Sequence, residues 1–153
     1  MHQQFEQVGG VIYNDEELAF AEALLPTLNK SGITLEQAAV VQPYDASEKT
    51  FPASTDVGDI SWVVPTAGIR TATWSALVTP AHSWQAVAAG GTSIGHKGMM
   101  VAAKTLALST IELLQNPSIC VIAARQELDG RIGNDFQYYP LLGDRQPPLD
   151  YRD

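Results

Sequence analysis

The chain has 153 residues, of which 45% are hydrophobic and 17% are charged. This composition excludes a disordered protein and provides enough chain for one hydrophobic core, so we expect a single domain over residues 1–153. A net charge of -8 argues against nucleic acid or an anionic membrane as a partner. The one cysteine, Cys120, excludes an internal disulfide. No stretch is typical of a signal peptide or a membrane span, and we expect a cytoplasmic protein.

The first strong helical pattern lies in "YNDEELAFAEALLPTLNKSG", residues 13–32. Asn14 is placed to accept a backbone N–H as N-cap, and Glu17 follows three residues later, as in a capping box. The apolar positions recur at helical spacing and are Leu18, Ala21, Leu25 and Leu28. Gly32 is a suitable stop. Pro26 should bend or shorten the helix, and the pattern leaves both open.

The middle of the chain is predicted to contain turns, one ambiguous segment and one strand. Residues 42–52 are rich in turn residues and predict a surface connection. "STDVGDISWVVPTAG" favours either a short helix capped by Ser54, Thr55 or Asp56, or a strand over "ISWVV". "IRTATWSALVTP" is rich in β-branched and aromatic residues. We therefore predict a strand over residues 71–78 at an uncovered sheet edge, and self-association of the chain.

Two helices are predicted in the C-terminal half. The first is apolar on most sides and runs from about Lys97 to Gln115, so its larger residues should be buried: Val101, Leu106, Leu108 and Leu113. Asn116 and Pro117 separate it from a second helix that begins near Ser118 and ends at Gly130. Cys120 in this second helix should be a buried small hydrophobe. The remaining tail is rich in turn residues and should lie on the surface.

No phosphate-binding loop and no local metalloprotease signature is present, so the histidines are the main candidates for chemistry. His82 follows the predicted strand, and loops at strand ends are common locations of binding sites. His96 lies at a helix N-terminus, where it could contact a substrate carboxylate. Lys97 could bind the same anion, although a solvated lysine is the simpler interpretation. The pair Glu16–Glu17 is explained by its place in the first turn of a helix.

Three strings carry a resemblance to a known family: "STDVGDISWVVPTAG", "TPAHSWQAVAAGGTSIGHKGMMVAAKTLA" and "ARQELDGRIGNDFQYYPLL". They resemble the C-terminal part of the p-aminobenzoyl-glutamate hydrolase-like amidohydrolases. This family belongs to the aminoacylase/carboxypeptidase-like dinuclear metallopeptidases. The resemblance implies an α/β fold, here a helix-rich part of a zinc-peptidase-like catalytic domain with few strands and without the lid domain.

The resemblance also implies a site. Family enzymes use two metal ions, commonly zinc or manganese, to activate water and polarise an amide carbonyl. Most ligands come from the N-terminal half, and the last is a histidine near the C-terminus, ahead of an Ile-Gly pair that enters a helix. His82 precedes Ile94 and Gly95 at a matching distance and is assigned as the metal ligand. His96 is the alternative and is assigned to substrate binding. Asp56, in a segment that is helical in the family, becomes a capping or supporting residue.

The chain departs from the family pattern in lacking the H-x-D motif and the catalytic glutamate pair. One histidine cannot hold a catalytic metal, so no cofactor is expected to bind this chain alone. We expect a fragment of an amidohydrolase that cleaves an amide of a p-aminobenzoyl-glutamate-like substrate, inactive without its missing N-terminal half. The alternative is a non-catalytic remnant that binds a partner chain or an anion.

Overall fold

The computed structural model describes residues 1–28, 35–47, 55–75, 79–133, 135–140, 142–146 and 149. Over these residues the chain is helix-rich and forms no strand. The α-helices are α1 His2–Val8, α2 Asp15–Leu24, α3 Leu35–Ala39, α4 Val57–Ser61, α5 Trp84–Gly90, α6 Ser93–Gln115 and α7 Ala123–Ile132. A 3₁₀ turn, Leu25–Thr27, follows α2, and a π-helical turn, Ser118–Ile122, precedes α7.

The chain divides into two compact units. Unit 1 comprises Met1–Glu48 and Ala67–Gln115, and unit 2 comprises Lys49–Thr66 and Asn116–Asp153. In the described part of the chain, no single helix has the length and apolar character needed to cross a membrane. The helical stretches Ser93–Gln115 and Cys120–Ile132 meet that test of length and composition only when they are taken together.

Helix α2 has the start that its sequence predicts. The Asn14 side chain accepts a hydrogen bond from the Glu17 N–H at 2.9 Å, and the Glu17 carboxylate accepts one from the Asn14 N–H at 2.8 Å. The helix ends at Leu24, and Pro26 lies in the following 3₁₀ turn. Pro26 therefore shortens the helix, because proline lacks an N–H and its ring clashes with the preceding turn. Gly32, the predicted stop, lies outside the described residues.

The core of unit 1 is small and joins three helices. Ala21 of α2, Leu35 of α3 and Ile94 of α6 form its buried cluster. Three partly buried side chains pack against this cluster: Tyr13, Leu18 and Phe20. Of the remaining predicted stripe, Leu28 is buried and Leu25 is half-buried, while the buried Leu24 was not part of the prediction. The core therefore fixes the first turns of α6 against α2.

Helix α6 begins at Ser93, four residues before the predicted start, and ends at Gln115 as predicted. Its buried residues are mostly small: Ile94, Gly95, Gly98, Thr105 and Ser109. A Cβ added at Gly98 would lie 2.0 Å from the Ala72 carbonyl oxygen, so only glycine permits this approach between α6 and the segment before α5. The Thr105 and Ser109 hydroxyls donate to carbonyl oxygens four residues earlier, which allows their burial.

The predicted burial of the large residues on α6 was partly wrong. Val101 and Leu108 are half-buried, whereas Leu106 is 50% exposed and Leu113 is 45% exposed. The helix is apolar on nearly all sides, so hydrophobicity alone could not show which face lies inward. The close approach at Gly98 decides the orientation, because a face that meets another backbone closely must carry small residues.

The strand predicted over residues 71–78 is absent from its described part. Residues 71–73 have no regular secondary structure and residues 74 and 75 form a bend, while residues 76–78 lie outside the described residues. A strand requires a partner with which to exchange backbone hydrogen bonds. The described part of the chain offers no second strand, so the β-branched composition of this segment does not suffice.

Unit 2 contains α4, the π-helical turn and α7. The ambiguous segment forms helix over Val57–Ser61 and turns over residues 62–64, so the strand interpretation of "ISWVV" was wrong. The Arg125 guanidinium donates to the Val63 carbonyl at 2.9 Å, which links α7 to the end of α4. Helix α7 passes through the predicted stop at Gly130 and ends at Ile132. Its C-cap is Gly133, whose φ of +85° suits glycine. Cys120 is half-buried.

Candidate functional site

His82 lies in the short loop that leads into α5, and its side chain is exposed. Its φ is +60°, and it is the one non-glycine residue with a positive φ in the described part of the chain. This conformation is uncommon for residues with a Cβ, although histidine adopts it more often than most. A residue in this conformation keeps it only where the surrounding structure holds the backbone, and such residues are common at functional sites. The backbone at His82 is therefore specified by its neighbours.

Ser83 and Gln85, which follow His82, anchor the loop. The Ser83 hydroxyl donates to the Pro80 carbonyl at 2.7 Å and accepts from the Ala86 N–H at 3.2 Å, so Ser83 is the N-cap of α5. The buried Gln85 amide donates to the carbonyl and the hydroxyl of Thr27, both at 3.2 Å. These contacts connect the start of α5 to the 3₁₀ turn Leu25–Thr27. The sequence analysis missed this link, since no local pattern relates residues 58 positions apart.

His96 lies in the first turn of α6 and is exposed. Thr92 precedes this helix, and its hydroxyl accepts from the Ile94 N–H at 3.3 Å and donates to the Ala89 carbonyl at 2.6 Å. The His96 N–H already donates to the Thr92 carbonyl at 3.1 Å. The imidazole of His96 therefore points from an ordered helix start, as the sequence analysis expected.

Lys97 is not a freely solvated lysine, and that interpretation was wrong. Its ammonium group lies 2.6 Å from Glu17 Oε2 and donates to the Ile12 carbonyl at 2.9 Å. The Glu17 side chain is only 4% exposed, whereas that of Lys97 is 38% exposed. Glu17 thus closes the capping box of α2 and also pairs with α6. Lys97 is occupied by this structural contact.

The surroundings of Glu17 shift two ionisable groups. Burial alone would raise the pKa of Glu17, but hydrogen bonds from Lys97, Ser93 and the Asn14 backbone, together with the Lys97 charge, hold that pKa below its ordinary value. Burial, with the nearby Glu17 charge, raises the pKa of Tyr13 to about 12. Both groups therefore keep one protonation state at neutral pH, with Glu17 ionised and Tyr13 neutral.

Unit 1 has two notable cavities. A cavity of about 170 Å³ lies between the starts of α2 and α6 and is lined by Asn14, Glu16, Glu17, Phe20, Thr92, Ser93 and Ile94. A larger cavity of about 320 Å³ is mostly apolar, and its lining includes Phe5, Val11, Val41, Arg70 and Val101. Neither His82 nor His96 lines these two cavities.

The described residues do not by themselves fit a catalytic metal. No group of three or more His, Cys, Asp or Glu side chains lies together in the described part of the chain, whereas a catalytic zinc takes about three protein ligands. Asp56 occupies the N-cap position of α4 without a side-chain capping bond, and its carboxylate accepts from the Thr55 hydroxyl at 3.2 Å. Among the described residues, His82 therefore belongs to no group that could hold a metal ion.

Comparison with known proteins shows the family to which the chain belongs. The chain is 38% identical over 136 residues to one of the subunits of p-aminobenzoyl-glutamate hydrolase of Escherichia coli strain K12, a match that covers 74% of the chain. The chain is a relative of that hydrolase. The resemblance carried by the His82 and His96 string is thereby confirmed at the level of the family. No protein-family profile and no solved structure matches the sequence.

The match covers most of this chain but a small share of its relative. The chain spans 28% of the length of the E. coli hydrolase subunit. The helix-rich structure without a described strand is consistent with part of a domain. The two assigned histidines, His82 and His96, lie on ordered supports in unit 1, and their roles remain predictions.

Proposed function

We propose that the chain is part of the catalytic domain of a metal-dependent amidohydrolase and that it supplies one metal ligand, His82, to a site completed by other polypeptide. The observation that carries this proposal is the relation to p-aminobenzoyl-glutamate hydrolase. The conformation of His82 supports the assignment of that residue. The backbone of His82 has a φ of +60°, and Ser83 and Gln85 anchor the residues that follow it, so this loop presents an exposed imidazole that could bind an additional group.

The finer part of the proposal concerns fold and chemistry. The complete domain would be an α/β zinc-peptidase-like domain in the cytoplasm, with zinc or manganese held mainly by residues outside this chain. Its substrate would be the amide of an N-acyl amino acid such as p-aminobenzoyl-glutamate. His96, at the start of α6, would contact the substrate rather than the metal, because a helix N-terminus favours an anionic group such as the glutamate carboxylate.

The test uses a complete enzyme. The matching segment of the E. coli hydrolase is replaced by this chain, and release of p-aminobenzoate from p-aminobenzoyl-glutamate is measured. We expect activity in this chimera, a loss in kcat of at least about 100-fold for His82→Ala, and mainly a higher KM for His96→Ala. An active chimera in which His82→Ala leaves kcat unchanged would contradict the assignment of His82.

A further inference from the structure

The outward face of α6 is unusually apolar for a surface. Its exposed large residues are Met99, Met100, Leu106, Ile111, Leu113 and Leu114. At 100° per residue these six positions cover an arc of about 160° on a helix about 34 Å long. Between Met99 and Leu114, the other exposed residues inside this arc are Ala103, Ala107 and Thr110, so this length of the arc carries no charged side chain. We call these nine residues the outer α6 face.

The opposite side of α6 is already packed within unit 1. Gly95 and Gly98 approach neighbouring backbone, and Thr105 is fully buried. A helix that is apolar on nearly all sides is typical of the interior of a large protein. Leu114 nevertheless remains 76% exposed, and Met99 remains 56% exposed. The helix therefore has the composition of a buried helix, but the chain packs against only one of its sides.

The width of the outer α6 face restricts what can cover it. A single partner helix, such as α6 of a second copy, contacts a narrow seam of alternating positions. An arc of about 160° is wider than that seam and matches a broad core-facing stripe, whose width is at least about 100°. Covering it requires a broader layer, such as a sheet face or two adjacent helices. The described part of this chain contains no sheet.

We infer that the outer α6 face is an internal surface, covered by a broad apolar layer contributed by the polypeptide that accompanies this segment in the longer hydrolase. The identity of this occupant rests on the proposed function. The inference is supported by the extent of the match, because the related enzyme has most of its length outside the 28% that the chain spans. Those additional residues are the source of the covering layer.

The test places the same substitutions in two contexts. Leu106→Lys and Leu114→Lys are introduced into the isolated chain and into the chimeric E. coli enzyme, with Gln115→Lys as the control. Gln115 is exposed on the same helix and lies outside the apolar arc. In the isolated chain we expect each variant to change Tm by less than about 2 °C. In the chimera, the two leucine variants should lower Tm by about 5 °C or more, and the control should not.

Four results would overturn the inference. The leucine variants could destabilise the isolated chain as much as the chimera, which would mean that this chain already covers the face. The isolated chain could form a stoichiometric dimer that Leu106→Lys dissociates, which would make a second copy the occupant. The chimera could tolerate the leucine variants. It could also be insoluble where the parent enzyme is soluble. If the isolated chain has no cooperative unfolding transition, the chimera comparison decides alone.

The same samples separate this inference from the proposed function. Amide hydrolysis by a chimera that tolerates both leucine variants would leave the function intact and remove the inference. A chimera that is destabilised by both variants and hydrolyses no amide would leave the covered face intact and remove the function.

Discussion

The Glu17–Lys97 contact and the His82 loop both lie in unit 1, and they differ in whether the chain completes them. Glu17 has a cation at 2.6 Å, a backbone donor from Asn14 and almost no solvent exposure. His82 has a positive φ and a fixed loop, but it is exposed and lies in no described cluster of metal-ligating side chains. The first region is a finished structural contact. In the second region the loop is anchored, and the exposed His82 side chain has no cluster of metal-ligating side chains around it among the described residues.

The two sides of α6 also differ in whether the chain covers them. The side with Gly98 and Thr105 is packed against unit 1, and the outer α6 face is exposed. The chain therefore forms its own contacts where α2 meets α6, and it leaves His82 and the outer α6 face exposed. Substitutions on either side of this contrast should differ in their cost.

A large stability effect is expected for Lys97→Met. This change leaves the buried Glu17 carboxylate without its cation, and we expect a loss of roughly 2–4 kcal/mol, somewhat below the usual cost of breaking a buried pair because Lys97 is partly exposed. Urea unfolding measures the change. Lys104→Met is the matched control, since Lys104 is exposed on the same helix. Equal effects of the two substitutions would contradict the structural role of the pair.

The next effect is expected for Gly98→Ala, which places a Cβ 2.0 Å from the Ala72 carbonyl oxygen. Backbone must move to relieve this clash, and the cost should be about 1–3 kcal/mol. Gly130→Ala in α7 is the control, because nothing lies within 4 Å of its added Cβ. Since alanine favours a helix over glycine, Gly130→Ala should be neutral or stabilising by up to about 1 kcal/mol. Thermal unfolding of both variants makes the comparison, and a neutral Gly98→Ala would argue against the close approach.

Low pH should reduce the contribution of the Glu17–Lys97 pair to the free energy of unfolding. The pKa of Glu17 is lower in the folded chain than its ordinary value of 4.5, so its contribution is fully present above about pH 4.5 and is lost as the pH falls through the folded pKa. The free-energy difference between the native chain and Glu17→Gln isolates this carboxylate. That difference, from urea unfolding between pH 6 and pH 3, should shrink below about pH 4.5. A difference that grows toward low pH would reverse the sign.

The smallest effect is expected for Leu106→Ala in the isolated chain. Leu106 is 50% exposed, so its truncation should cost less than about 1.5 kcal/mol. Ile94→Ala is the comparison on the buried side of the same helix, where the side chain is 1% exposed and the cost should be about 2–5 kcal/mol. Chemical denaturation ranks the two variants. A larger loss for Leu106→Ala would reverse the orientation of α6.

Sequence alone predicted features that depend on nearby residues. The capping box of Asn14 and Glu17, the end of α6 at Gln115 and the helix break at Pro117 all follow from short-range rules. Prediction from sequence failed where the structure depends on contacts between residues distant in the chain. The segment from residue 71 has β-propensity but no described partner strand, and Lys97 finds Glu17 at a separation of 80 residues.

The candidate site shows the same limit. His82 and His96 could be selected from their neighbours and from the resemblance, because the relevant string is continuous. The contact of Gln85 with Thr27 could not be predicted, since it joins the start of α5 to the 3₁₀ turn Leu25–Thr27, 58 residues earlier in the chain. The prediction of which α6 face is buried failed for a related reason. The helix is apolar on both sides, so hydrophobicity does not distinguish the buried face from the exposed one.

The metal content of the chimeric enzyme tests the proposed ligand role of His82 most directly. Bound zinc and manganese are measured by elemental analysis in the isolated chain and in the chimera with its His82→Ala and His96→Ala variants. We expect no stoichiometric metal in the isolated chain, a full complement in the chimera and in His96→Ala, and the loss of about one metal ion per chain in His82→Ala. Loss of metal from His96→Ala with full retention in His82→Ala would reverse the assignment. Full retention in both variants would show that neither histidine is a ligand.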